Sequence, residues 1–197
     1  VYCSDMVFED LTTGFPLFNM LEHWDGGVDR HRIPLSGESF AVDAIDGLSF
    51  TAIPVTGKAP PYSPHRNDAH IGDNIGIKIV EVSTGKSVFY APGLGEITDE
   101  TRQLMSESDC LLVDGTFWSE NEMQKVGLGN KLASDMGHLP QSGTGGMLEV
   151  LRPMKRPRKI LIHINNTNPI LNEESEQRLA VVAEGIEVAY DGMEVEL

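Results

Sequence analysis

Six histidines are scattered along 197 residues, and four of them stand where apolar runs give way to polar segments. His65 and His70 lie in P-P-Y-S-P-H-R-N-D-A-H-I-G-D-N-I-G, in company with Tyr62, Arg66 and Asp73. His138 sits in M-G-H-L-P-Q-S-G-T-G-G, and His163 belongs to the run K-I-L-I-H-I that leads into N-N-T-N-P. Asp114 closes D-C-L-L-V-D, just before G-T-F-W. Imidazole and carboxylate are the groups that Zn²⁺ and Fe²⁺ prefer as ligands. The ends of apolar strands are also where α/β folds carry their sites.

Each of these residues has two readings. His163 interrupts an apolar strand, where an unpaired imidazole is costly to bury. It reads equally as a metal ligand or as a core histidine bonded to a backbone carbonyl. His70 lies in a loop two residues before Gly72, a glycine that allows close approach, which favours a ligand over a plain loop histidine. His65 and Arg66 suit an anionic substrate carboxylate or a solvated loop. Asp114 suits a residue that orients a histidine from behind, or a helix N-cap. His138, preceded by Gly137, suits a proton donor or a simple loop. His23 and His31 read as surface or structural residues.

The elements that must position these groups alternate. Asp5–Leu11, capped by Ser4, and Pro16–Trp24 read as short helices. Arg30–Leu35, Phe40–Ala44 and Leu48–Pro54 read as strands, with turns at Gly37 and Asp46-Gly47. A long polar loop runs from Val55 to Asp73; loops of that length are functional or disordered. Asn74–Val82 and Ser87–Ala91 read as a hairpin. Thr98 caps a helix reaching about Ser106, Asp109–Asp114 is an apolar strand, Gly145–Leu151 a helix and Lys159–Ile164 a buried strand. Glu173–Glu184 reads as a helix, and Glu187–Tyr190 with Met193–Glu196 as a closing hairpin around Asp191-Gly192. The length fits one domain, 1–197. The alternation argues for an α/β protein, and the early run of strands points to a sheet sandwich flanked by helices.

Composition narrows the function classes. With 40% hydrophobic and 23% charged residues, the chain reads as an ordinary globular protein. A formal net charge of −15 repels nucleic acid and anionic membrane surfaces. No apolar run approaches the about 18 residues of a membrane helix, and no signal peptide is visible. Cys3 and Cys110 form no metal-type pair and read as buried free thiols, which fits a reducing, cytoplasmic setting. The opening V-Y-C-S-D has no initiator methionine and starts inside a strand end, as a partial chain would. No nucleotide-binding glycine motif and no G-x-S-x-G elbow occurs.

The strings S-D-M-V-F-E-D-L-T-T-G-F-P-L-F, A-P-P-Y-S-P-H-R, G-D-N-I-G, F-Y-A-P-G-L-G, L-L-V-D-G-T, M-G-H-L-P-Q-S-G, H-I-N-N-T-N-P-I-L and V-A-Y-D-G-M together resemble the pyrroloquinoline-quinone (PQQ) biosynthesis protein B family, PqqB, along the whole chain. The resemblance implies a metallo-β-lactamase αββα sandwich. It also implies that an earlier part, with a CxCxxC structural zinc motif and a degenerate HxHxDH metal motif, lies outside these residues.

By the same resemblance, His70 and His163 match metal ligands of superfamily phosphodiesterases, and His138 matches a proton-transfer histidine. Pro92 stands where those relatives carry a metal-bridging aspartate. Without that carboxylate, two dications about 3.5–4 Å apart lose the charge that offsets their repulsion, so a mononuclear site is expected. One ion with histidines, a carboxylate and open positions suits non-haem Fe²⁺ and O₂. The resemblance implies hydroxylation of the tyrosine of a Glu-Tyr peptide precursor, with His138 and Asp114 assisting and Tyr62, His65 and Arg66 meeting the substrate. The alternative is a carrier of PQQ or its precursor to the periplasm; a two-metal hydrolase is disfavoured by Pro92. A structural Zn²⁺ is expected too, but Asn166 stands where some relatives supply its fourth ligand. The reading leaves room for a homo-oligomer and expects little or no activity from these residues alone.

Overall fold

A computed structural model describes residues 1–197. Its centre is a seven-stranded mixed sheet in the order β3-β4-β5-β6-β7-β8-β9. The strands are β3 (Ser39–Val42), β4 (Ile45–Pro54), β5 (Ile75–Glu81), β6 (Ser87–Ala91), β7 (Cys110–Asp114), β8 (Arg158–Ile162) and β9 (Glu187–Val188). The first three joins are antiparallel, and β6-β7-β8-β9 are parallel. A separate two-stranded parallel pair joins β1 (Tyr2–Cys3) to β2 (His31–Arg32).

Helices α3 (Asp99–Glu107), α5 (Met147–Leu151) and α6 (Glu176–Ala183) connect the parallel strands and cover one sheet face. Two of them start as their sequences direct. The Thr98 hydroxyl accepts from the Thr101 N–H at 3.1 Å, and Ser175 accepts from the Arg178 N–H at 3.0 Å. On the covered face Phe89, Ala91, Leu111, Val113 and Leu161 pack against Met105, Leu151 and Val181, all fully buried. Burial of each large apolar side chain contributes about 1.5–3 kcal/mol. The opposite face, carried by Tyr90, Leu112, Ile160 and Ile162, is less uniformly covered, and Tyr90 is 40% exposed. Of the expected sandwich, these residues therefore build one full sheet and a minimal second pair.

Several boundaries differ from the sequence expectations for identifiable reasons. The first helix stops at Glu9 and continues as a π-helical turn over Asp10–Gly14. The first hairpin turns at Asp43-Ala44. Asp46-Gly47, expected as the turn, lies inside β4, and the register jump between Phe40 and Val42 shows the extra residues bulging there. Gly47 has φ +77°, so the backbone freedom that suggested a turn is spent on a bulge. The closing hairpin does not form. β9 instead pairs parallel with β8, and Asp191-Gly192 turns the chain without a returning strand.

Candidate metal centre

The parallel strands β6, β7 and β8 end on the same sheet edge, and β5 begins there. That edge gathers Pro92-Gly93 after β6, Asp114 at the end of β7 and His163 just past β8. It also receives His138, from the segment between α4 (Glu122–Lys125) and α5. Potential ligand atoms of Asp114, His138 and His163 lie within 4.8 Å of one another. The two imidazole rings stack at 5.3 Å between centroids, 24° apart.

Local backbone explains this convergence. Gly115 donates its N–H to the Ile162 carbonyl at 2.8 Å, in a gap where an added Cβ would lie 2.9 Å from the Leu161 Cβ. The buried Asn168 side chain donates to the carbonyls of Gly115 and Thr116. The Asn165 N–H donates to the Thr116 carbonyl at 3.1 Å. N-N-T-N thus ties the segment after β8 to the one after β7. His163, at the junction, has φ +56°, the only positive φ outside glycine. For a residue with a Cβ that conformation costs of order 1–3 kcal/mol and persists only where surroundings impose it.

The hydrogen bonds fix which nitrogens are free. Asp114 is completely buried. Its Oδ2 accepts from the Leu94 N–H at 2.9 Å and pairs with His138 Nδ1 at 2.7 Å. Its Oδ1 accepts from the Thr116 N–H at 2.9 Å and the Thr116 hydroxyl at 2.6 Å. A carboxylate has about four lone-pair sites, and all four are taken. Asp114, although close enough to be grouped with the imidazoles, is therefore an orienting residue and not a ligand.

The Thr116 hydroxyl has one proton and gives it to Asp114. It must accept from His163 Nδ1, at 2.8 Å. His138 Nδ1, 2.7 Å from Asp114, likewise carries its proton. Both rings are left with an Nε2 lone pair, the arrangement that metal-binding histidines obtain from their outer partners. A metal ion fits the His163 Nε2 donor, and the His138 Nε2 lone pair on the stacked ring suits a proton carrier. With Asp114 committed, these residues offer the ion no carboxylate.

The structure does not bring His70 into this group. The Asp73 carboxylate accepts the His70 N–H at 2.7 Å, and His70 Nδ1 donates to the Asp68 carbonyl at 2.7 Å. These bonds turn the ring toward His65 and Asp68, with which it forms a second cluster. The structure thus groups His70 with His65 and Asp68, and not with His163 as the sequence led us to expect. Arg66 braces its own loop by donating to the Ala59 carbonyl, and with Lys58 and Lys131 it lines a cleft of about 600 Å³. Tyr62 packs beside Phe15, with ring centroids 5.6 Å apart, and stays half-exposed. Thr116, Asp68 and Glu9 were missed by sequence reasoning. Only Thr116 had a signal, as a hydroxyl two residues beyond Asp114, where it can fold back onto a carboxylate.

Comparison with known proteins decides the family. A beta-lactamase superfamily domain matches residues 1–164. The chain belongs to that superfamily. It is 57% identical over 197 residues to coenzyme PQQ synthesis protein B of Methylococcus capsulatus and 59% identical to that of Azotobacter vinelandii. It covers 64% and 65% of those proteins, so the chain spans about two-thirds of the length of the curated relatives it matches. The solved structure of Zn²⁺-bound PqqB from Methylobacterium extorquens matches with a TM-score of 0.86 and 32% identity, over all of this chain and 64% of that one. A diphosphatase of the PhnP family, 16% identical over the whole chain and 57% of its own, has a TM-score of 0.57 and shares the fold. The resemblance to PqqB and the metallo-β-lactamase fold expected from the sequence are both borne out.

Proposed function

We propose that the protein acts in PQQ biosynthesis as an iron-dependent hydroxylase of the tyrosine in a Glu-Tyr peptide precursor, and that this chain supplies His163 and the His138–Asp114 pair. The name shared by relatives above 55% identity supports the biosynthetic role. The observation that carries the metal reading is the Asp114–Thr116 clamp, which occupies Nδ1 of both imidazoles and leaves His163 Nε2 with a free lone pair. The Zn²⁺ bound by the Methylobacterium extorquens relative supports a metal-binding protein.

Pro92 supports a single ion. It follows the end of β6, and a Cβ on the adjacent Gly93 would lie 3.8 Å from His138 Cε1, so the segment runs beside the site without offering a carboxylate. The remaining ligands come from the portion of the relatives' length that this chain does not span. Iron, when bound, supplies the redox chemistry by which O₂ is used. His163 holds the ion, and His138 moves a proton at its Nε2 while Asp114 keeps the ring's other nitrogen protonated. Arg66 and Lys58, in the neighbouring cleft, meet substrate carboxylates. The two buried free cysteines, Cys3 and Cys110, support a reducing, cytoplasmic setting.

The test uses the full-length protein, loaded with Fe²⁺ without air and given a Glu-Tyr peptide, a reductant and O₂. Oxygen consumption and a one-oxygen mass gain on the tyrosine are expected. His163→Ala abolishes both, and His138→Gln slows turnover by about 10²–10⁴-fold. Binding of the peptide or of PQQ with no oxygen uptake would instead identify a carrier and overturn the proposal.

A further inference from the structure

The cluster on the long loop has the composition of a second, separate metal site. We infer that His65, His70, Asp68 and Glu9 bind a structural Zn²⁺ that staples the 55–74 loop to α1 (Asp5–Glu9). Ligand atoms of His65, Asp68 and His70 lie within 4.8 Å of one another, and the two imidazoles meet edge to face with centroids 4.6 Å apart.

Three details favour an ion over hydrogen bonding. First, His70 Nδ1 donates to the Asp68 carbonyl, which leaves its Nε2 lone pair free. Second, His65 Nε2 is shielded from solvent and has no hydrogen-bond partner. Glu9 Oε1 lies 3.2 Å from it, close enough for a charge pair but off the direction an N–H would point. Two ligand atoms that share an ion need no such alignment. Third, the spacing suits tetrahedral zinc. Bonds of about 2.0–2.1 Å place neighbouring ligand atoms about 3.3 Å apart. The His65–Glu9 separation of 3.2 Å already meets this, and the 3.9 Å from His70 Nε2 to Asp68 Oδ2 needs a movement of about 0.6 Å by an exposed carboxylate.

The loop is already held in place. The Ser63 hydroxyl accepts the His65 N–H at 3.1 Å, Asp73 accepts the His70 N–H, and Ser4, which caps α1, donates to the Gly72 carbonyl at 2.6 Å. Two carboxylates balance a dication, and two neutral imidazoles complete an N₂O₂ set that zinc accepts. The inference does not depend on iron or turnover at the Asp114–His138–His163 edge.

The test compares full-length proteins stripped of metal and dialysed against Zn²⁺, with bound zinc counted by mass spectrometry. The paired substitution His65→Gln and His70→Gln is expected to lower the content by one ion per chain. His163→Ala is expected to remove a different ion, so that the combined variant loses both. In wild type, Zn²⁺ is expected to protect His65 and His70 from diethyl pyrocarbonate, as read on their separate tryptic peptides; this measurement decides the matter if the paired variant does not fold. Unchanged zinc content in a folded paired variant, or equal modification of both histidines with and without Zn²⁺, overturns the site.

Discussion

Replacing Thr116 with valine deletes one hydroxyl and preserves the shape of a buried side chain. That hydroxyl donates to Asp114 at 2.6 Å and accepts from His163 Nδ1 at 2.8 Å. Two losses follow. Asp114 keeps three of its four donors and loses a hydrogen bond to a carboxylate, which is worth about 1.5–3 kcal/mol. His163 loses the acceptor that keeps its proton on Nδ1, and removing such an outer partner weakens metal binding about 10–100-fold, or about 1.4–2.8 kcal/mol. Thr116→Ser keeps the hydroxyl and is expected to recover most of both. Competition against a chromophoric zinc chelator measures the affinity, and denaturant unfolding measures the stability. If Thr116→Val binds zinc as tightly as wild type while His163→Ala loses that ion, Thr116 does not set the tautomer and the assignment of the free nitrogens is wrong.

Three other perturbations probe the same framework. Asp114→Asn places an amide among four donors it cannot all satisfy, and should destabilise the fold by about 1–3 kcal/mol for a buried donor left unpaired; a smaller loss in chemical denaturation would mean that the pocket rearranges freely. Gly115→Ala forces a methyl against Leu161 and the Ile162 carbonyl. Overpacking by about 1–3 kcal/mol should lower the melting temperature by about 2–4 °C for each kcal/mol, and an unchanged melting temperature would show that the β7–β8 junction can widen. The Arg158 guanidinium hydrogen-bonds Glu187 and holds its carboxyl below the usual 4.5. A depressed carboxylate stabilises above its unfolded pKa and loses that contribution as pH falls through the folded one. Glu187→Gln should therefore cost at most about 1 kcal/mol near neutral pH, since the pair is partly exposed, and nothing well below pH 4.5; equal losses at both pH values would contradict the ion pair.

What the sequence disclosed follows from how local each signal is. The apolar runs of β6, β7 and β8 and the cap Thr98 need only their neighbours to be recognised, and they fall where expected, whereas the last helix starts at Glu176, after the cap Ser175, and not at Glu173. Placing Asp114, His138 and His163 on one edge needed only the rule that sites gather at strand ends. The partner of His163 was not readable, because Thr116 lies 47 residues away and its role depends on where a single proton sits. The grouping of His70 with His65 and Asp68 was not readable for a similar reason. The distance of His70 along the chain from Gly76 says nothing about which way a proline-rich loop turns, and Asp73 settles that by holding the His70 amide. The final hairpin failed because a turn sequence specifies a reversal of the chain, not a strand to return along.

The clamp around Asp114 is stitched from parts of the chain that begin far apart, joining Leu94, Asp114, Thr116, His138 and His163 across separations of 20 to 47 residues. No short peptide cut from this protein can reproduce it, because each strand end is set by its neighbour in the sheet. A probe placed on either imidazole would consequently report the assembly of the whole parallel half of the sheet, and loss of its signal would mark unfolding far from the histidine that carries it.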